Sequence, residues 1–263
     1  MQESTVSNLK QGRVAREDLV RHLVAHLDIR RFKDVAPNGL QVEGSAEIRN
    51  IVVGVTANQI LIDAAIAAGA DTVIVHHGLF WKGDDPRIVG YHRQRVARLL
   101  IQDINLLAYH LPLDAHPELG NNAQMGRKLG LTPVGSAGEH NLVMLGQLGM
   151  GIDIKSTVLA AYVARHFGGR VTLYASSSRA VRTIAWCTGA GGGFLRDAIE
   201  AGADAFITGE ISEHHIHEAR ESNVTLIAAG HHATERGGVA ALGAYIAERY
   251  GVRYQFIDVD SPL

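Results

Sequence analysis

Apolar residues recur through residues 16–28 (REDLVRHLVAHLD) at Leu19, Val20, Leu23, Val24 and Leu27, the spacing of one helix face. The pattern changes at Ile48–Thr56, where a run rich in Val and Ile predicts a buried strand. Leu61–Ala70 predicts a helix closing at Gly69, and Thr72–Val75 a second strand. Strand, helix and strand within about 25 residues form a βαβ unit, whose strands pair in parallel. Val96–Ile101 then predicts helix and Ile104–Tyr109 strand. Residues 139–180 are expected to hold two strands around a helix near Val158–Phe167. The chain closes with a strand at Val224–Ala229, a helix at Val239–Arg249 capped by Gly251, and a strand at Arg253–Val259.

Within this pattern lies an internal repeat. Residues 49–71 (RNIVVGVTANQILIDAAIAAGAD) align without a gap to residues 182–204 (RTIAWCTGAGGGFLRDAIEAGAD), at an offset of 133 (182 − 49). Nine of the 23 positions are identical, from Arg49/Arg182 to Asp71/Asp204. Similar use of an Ala-Gly-Ala-Asp helix end is the competing explanation. The repeat predicts two similar α/β halves related by a pseudo-two-fold, nominally residues 1–132 and 133–263.

Composition narrows the class. With 46% hydrophobic and 20% charged residues, the chain has ample material for packed cores and is not a disordered chain. A formal charge of −2 gives no bulk attraction to nucleic acid or to an anionic membrane. The small Arg93, Arg95 and Arg98 cluster does not alter that balance, so a nucleic-acid partner is not expected. The single cysteine, Cys187, cannot form an internal disulfide and fits a reducing compartment. No secretory h-region opens the chain and no apolar stretch reaches 18 residues, so a cytoplasmic protein without membrane attachment is expected.

The chain has 14 histidines, and their positions carry the chemistry. His76-His77-Gly78 follows the strand Thr72–Val75, at the strand end where parallel α/β folds place ligands. Neighbouring residues in a strand face opposite ways, so two adjacent histidines serve one site only where the strand ends. Alone, the pair reads more readily as two surface histidines beside Phe80 and Trp81. The next strand leads into His110-Leu-Pro-Leu-Asp114, where Pro112 disfavours a regular helix, so His110 and Asp114 would converge through a loop or first turn. In the second half, the strand at Val224–Ala229 leads into Gly230-His-His-Ala-Thr-Glu235. His231 and Glu235 share one face if this is a helical first turn. Both segments read strand–His–x3–carboxylate, at an offset of 121 (231 − 110).

Four histidines (His76, His77, His110, His231) and two carboxylates (Asp114, Glu235) thus form one predicted constellation. Imidazole with carboxylate suits zinc, manganese, iron, nickel or cobalt. Six side chains exceed one catalytic zinc with an open position and match two metals sharing a bridging carboxylate and a water. Glu210 sits where the repeat places His76-His77, and Glu213, His214, His215 and His217 follow it. Glu210 or His217 is a candidate proton carrier, while His214 and His215 read as a solvated helix face. Gly191-Gly192-Gly193 opens a helix either as an anion-binding turn or as an ordinary glycine turn. His22, His26, His92, His116, His140 and His166 are read as surface or core residues.

Several motifs together resemble the GTP cyclohydrolase I type 2-like, or NGG-one-interacting-factor-three-like, dinuclear metal-centre family, in its short bacterial YbgI-type form. They are Ala36-Pro-Asn-Gly-Leu-Gln-Val-Glu-Gly44, Val75-His-His-Gly-Leu-Phe-Trp81, His110-Leu-Pro-Leu-Asp114 with Gly120-Asn-Asn122, Thr208-Gly-Glu210 and Gly230-His-His-Ala-Thr-Glu235. The resemblance covers nearly the whole chain. It implies two intertwined α/β domains with mixed sheets and a toroidal hexamer whose metal sites face inward. It also implies His76 and His77 on separate metals, Asp114 as loop ligand with His110 close by, His231 as late ligand and Glu235 as bridge. Asn38 and Gln41 match a segment expected near the cleft, with no ligand role assigned. The mid-chain insertion of many bacterial members is absent, so functions tied to it do not transfer. The expected function is a metal-dependent hydrolase acting on a nucleotide or related small molecule through a metal-held water, GTP-cyclohydrolase-like by resemblance only. The alternative is a non-catalytic, metal-stabilised ring or adaptor binding a partner or nucleic acid.

Overall fold

The protein, seen in a computed structural model, is described over residues 12–149, 153–168, 171–175 and 179–262. Residues 1–11, part of the segment read for a leader, and parts of 139–180 lie outside the described residues. The chain first forms β1 (Val14–Ala15), α1 (Arg16–His26), β2 (Gly39–Val42), β3 (Glu47–Ile48), β4 (Asn50–Thr56), α2 (Gln59–Ala67), β5 (Thr72–His77), α3 (Gly90–Ile101) and β6 (Asn105–Ala108). It continues through α4 (Leu111–Ala115), α5 (Asn121–Lys128), β7 (Leu131–Ala137), β8 (Val143–Leu148), α6 (Ser156–Phe167), β9 (Thr172–Ala175) and β10 (Ile184–Cys187). The remainder is α7 (Leu195–Glu200), β11 (Ala205–Thr208), α8 (Glu213–Glu221), β12 (Thr225–Ala228), α9 (His231–Tyr250) and β13 (Arg253–Phe256).

Two mixed sheets carry the molecule. One has strand order β13-β4-β5-β6-β2, with β2 antiparallel to β6 and the other pairs parallel. The other has order β7-β8-β10-β11-β12-β9, with parallel pairing confined to β10-β11-β12. The last strand of the chain therefore returns to the sheet that holds the early strands. The fold is α/β with mixed sheets and an intertwined chain path.

Strand alternation sorts the cores. In β4, Ile51, Val53 and Val55 face a core shared with α1 and α9, through Leu19, Leu23, Leu242 and Ile246. Val52 faces the opposite core, under Leu61 and Ile62 of α2 and Leu99 of α3. The second sheet repeats the arrangement, with Trp186 and Ile207 against Leu159 of α6 on one face and Ala185 and Phe206 against Leu195 on the other. Each fully buried Val, Leu, Ile or Phe side chain among these contributes about 1.5–3 kcal/mol relative to exposure.

The predicted strand Ile48–Thr56 is broken at Arg49. The amides of Arg49 and Asn50 both donate to Asp71 Oδ2, at 2.7 and 3.0 Å, leaving Ile48 to pair with β1. Asp204 Oδ2 accepts from Arg182 N and Thr183 N in the same manner, at 3.1 and 3.0 Å. The two aligned segments thus share this local hydrogen-bonding pattern. Helix α3 starts six residues before the predicted Val96 (96 − 90), because its first turns expose Tyr91 and carry no core-facing stripe. Pro112 stands in the first turn of the short α4, where a missing N–H disturbs nothing. Among the described residues, no helix is long and apolar enough to cross a membrane.

Candidate metal centre

His76 and His77 are the last residues of β5. His76 is completely buried, and its Nδ1 donates to the Tyr109 carbonyl at 2.9 Å. His77 Nδ1 pairs with Thr56 Oγ1 at 3.1 Å, across the β4–β5 ladder. The two rings lie 4.6 Å apart, so the end of the strand brings both into one site. Gln41 explains the turn that follows. Its Oε1 accepts from Leu79 N at 2.8 Å, and a Cβ on Gly78 would collide with that same amide.

His110 precedes α4, and Asp114 lies within it. Their support comes from a segment the spacing argument did not reach. Asp34 Oδ1 accepts from His110 Nδ1 at 2.7 Å, and its Oδ2 accepts from Leu111 N at 2.9 Å. Asn38 Oδ1 accepts from His110 N at 2.7 Å, while its amide donates to Asp34 Oδ2 at 2.9 Å. Asp114 Oδ1 accepts from Asn121 Nδ2 at 2.8 Å, and Asn121 Oδ1 accepts from Gly238 N on α9 at 2.8 Å. That bond requires close approach of α5 and α9, and a Cβ on Gly238 would strike Asn121 Oδ1.

His231 and Glu235 occupy the first turn of α9, one turn apart. Glu235 lies between two donor groups. Its Oε1 is 3.4 Å from His76 Nε2, which is itself 3.5 Å from Asp114 Oδ1. Its Oε2 is 3.3 Å from His77 Nε2 and 3.1 Å from His231 Nε2. Glycine at 189 is required here, since φ is +63° and a Cβ would collide with Glu235 Oε1. Glu210 sits behind His231, its Oε2 3.3 Å from Nδ1.

The donor set fits metal ions. His76 Nε2 and Glu235 Oε2 are buried yet have no hydrogen-bond partner. All four imidazoles have Nδ1 engaged by an oxygen, from Tyr109, Thr56, Asp34 and Glu210 respectively. This is the outer support that orients metal-binding histidines and leaves Nε2 as the ligand atom. Donors about 2.1 Å from one ion stand roughly 3.0–3.4 Å apart, close to the spacings around Glu235. Three groups gather ligand atoms within 4.8 Å of one another: His76/His77/His110, His77/His231/Glu235 and His76/Asp114/Glu235.

Without a cation the charges are in tension. Burial alone would push His76 down, but the Asp114 and Glu235 carboxylates outweigh it and raise its pKa to about 10. Burial and the His76 charge lower His77 to about 3 against the pull of Glu235. Burial opposes ionisation of Glu235, yet His76 and His231 hold its carboxyl well below the usual carboxylate range. Burial pushes Asp114 up, only partly offset by His76.

The structure thus gathers His76, His77, His110, Asp114, His231 and Glu235, with Glu210 alongside. His217 lies elsewhere, on an exposed face of α8, its Nε2 2.8 Å from Glu213 Oε1. His215 departs from the expected solvated face. It is buried, and its Nδ1 accepts from Ser212 N at 3.0 Å as part of a capping box. Trp81, 5.1 Å from His110 and 5.7 Å from His77 between ring centroids, forms an aromatic wall. A cleft of about 530 Å³ opens against His77 and His231.

The chain is similar to several known proteins. A Pseudomonas aeruginosa protein named GTP cyclohydrolase 1 type 2 homolog is 48% identical over 255 residues, covering 95% of this chain and 99% of its own. An Escherichia coli K12 protein of the same name is 49% identical over 233 residues, covering 88% and 92%. A solved structure described as protein ybgI, of unknown function, superposes with TM-score 0.90 at 45% identity, covering 95% of this chain and 100% of that one. The structure of TTHA1606 from Thermus thermophilus gives TM-score 0.85 at 35% identity, with the same coverage. Residues 14–262 match the family described as Duf34/NIF3 (NGG1p interacting factor 3), and the chain belongs to that family.

Proposed function

We propose that this protein is a dinuclear metal-dependent hydrolase acting on a nucleotide or related small molecule. The observation that carries the reading is the position of Glu235, with one oxygen toward His76 and Asp114 and the other toward His77 and His231. In this reading His76 and Asp114, with His110 beside them, hold one ion, and His77 and His231 hold the other. Glu235, with one oxygen toward each group, would be held in common by the two. Zinc, manganese, iron, nickel or cobalt suits such donors. Such a pair, when bound, would supply Lewis acidity, which lowers the pKa of water from 15.7 toward about 7 and polarises a substrate oxygen.

The chain's own groups do the rest. Asp34, Thr56, Tyr109 and Glu210 fix the four rings through Nδ1. Glu210, with a side chain 42% exposed, carries protons between the centre and solvent. His217 is the weaker choice for that role because Glu213 already holds it on the exposed helix face. The name shared by the relatives supports a nucleotide substrate. The open cleft at His77 and His231 favours turnover over an adaptor, whose site would be closed by protein ligands. We further propose a cytoplasmic hexameric ring, resting on the family resemblance. Leu100 and Ile101, exposed at the C-terminal end of α3, offer apolar side chains to a neighbouring copy.

Elemental analysis of protein purified without chelator tests the centre. About two ions per chain are expected, and metal-free protein would overturn the reading. A screen of nucleotides, phosphoesters and peptides with metal-reconstituted protein, using Glu235→Gln as the blank, then tests hydrolysis. Asp34→Asn is expected to weaken metal retention about 10–100-fold through misorientation of His110. Chelator competition measures this, and wild-type retention would show that His110 needs no such support.

A further inference from the structure

The cleft that opens on His77 and His231 has a volume of about 530 Å³, the size of a small-molecule site. Its lining is uneven in character. Leu61, Ile257, Val259 and Pro262 supply apolar wall. Arg95, from α3, is the only lysine or arginine among the described residues that line the cleft. Its Nε is buried and has no hydrogen-bond partner, and its guanidinium carbon lies 5.0 Å from the Tyr91 ring centroid. Asp260, the sole carboxylate among the described lining residues, is exposed and already has a contact of its own.

A guanidinium is always charged, and its planar fork matches a phosphate with two parallel hydrogen bonds. A guanidinium in a cleft wall with no carboxylate paired to it favours a ligand that brings an anionic acceptor. A neutral amide or ester in this cleft would leave the charge of Arg95 unanswered. On the hydrolase reading given above, we propose that Arg95 is the anion-binding residue of the cleft. The molecule processed at the metal centre is then a phosphate ester whose apolar or planar body rests on the Leu61–Ile257–Val259 wall. The phosphate anchors on Arg95 and the body spans the cleft floor.

Calorimetric titration with phenyl phosphate, which joins a dianion to an apolar ring, tests this on the full chain. The metal-loaded wild-type protein is expected to bind it. Arg95→Met is expected to weaken binding about tenfold or more, the loss of a charge-assisted bidentate contact. Arg98→Met is the control, since Arg98 pairs with Asp63 at 3.1 Å and does not line the cleft. It should bind as wild type does. Metal content and melting temperature, measured on each variant, identify any loss through misfolding. Equal binding by wild type and a folded, metal-loaded Arg95→Met overturns the proposal, as does wild-type protein that fails to bind. Metal content separates the two readings. Wild-type protein purified without chelator that holds no metal fails the hydrolase reading, whereas equal binding by metal-loaded wild type and Arg95→Met fails this one.

Discussion

Glu235→Gln is expected to empty both metal positions together. An amide keeps the size of the carboxylate but offers one good acceptor oxygen, and its NH2 turns donors toward one of the two groups. The buried His76 also loses one of the two carboxylates that balance it. Outer-shell substitutions reduce metal affinity roughly 10–100-fold, and a bridging ligand should exceed that range because both positions depend on it. Metal content should therefore fall from about two ions per chain to a small fraction of one, and hydrolysis should vanish with it. The fold should persist, since Val239, Leu242 and Ile246 of α9 remain packed against the first sheet. Elemental analysis with circular dichroism reads both effects. Full metal content in a folded Glu235→Gln protein would remove Glu235 from the centre.

What the sequence makes visible follows from local periodicity. The strand-end histidines and the two His-x3-carboxylate segments stand at fixed distances from strands that hydrophobic runs reveal, so their convergence can be read from spacing. Asp34 and Asn38 cannot be found this way. They lie in an irregular segment more than 70 residues before His110, and only the tertiary fold brings them to it. Asn38 and Gln41 are visible as parts of a family motif, but their bonds to His110 N and Leu79 N need coordinates. His215 shows why polarity does not equal exposure. Its ring serves the capping box of α8 and is buried by that task. The return of β13 to the early sheet is likewise hidden, because a strand's pattern does not name its partner.

The same buried charges predict how pH should act on the metal-free protein. His76 is raised from an ordinary 6.5 to about 10, so the folded state binds its proton more tightly than the unfolded chain. Stability from that group is complete below about 6.5 and is lost as pH rises toward 10. His77 is lowered to about 3, so the folded state rejects the proton that the unfolded chain accepts. Its effect appears as a loss of stability as pH falls from 6.5 toward 3. Glu235 adds to this acid limb, because its depressed carboxyl stabilises the fold above the usual carboxylate range and ceases to do so as it protonates. The melting temperature of chelator-treated protein should therefore peak near about pH 6.5 and fall by several degrees on the alkaline side by about pH 9. Metal loading should remove that alkaline fall, since an ion takes the place of the proton on His76. Uptake at about pH 8 should accordingly release about one proton per chain, read by calorimetry in buffers of different ionisation enthalpy. A flat melting profile across that alkaline range, or uptake without proton release, would show that His76 is already neutral in the empty site and that Asp114 and Glu235 do not hold its charge.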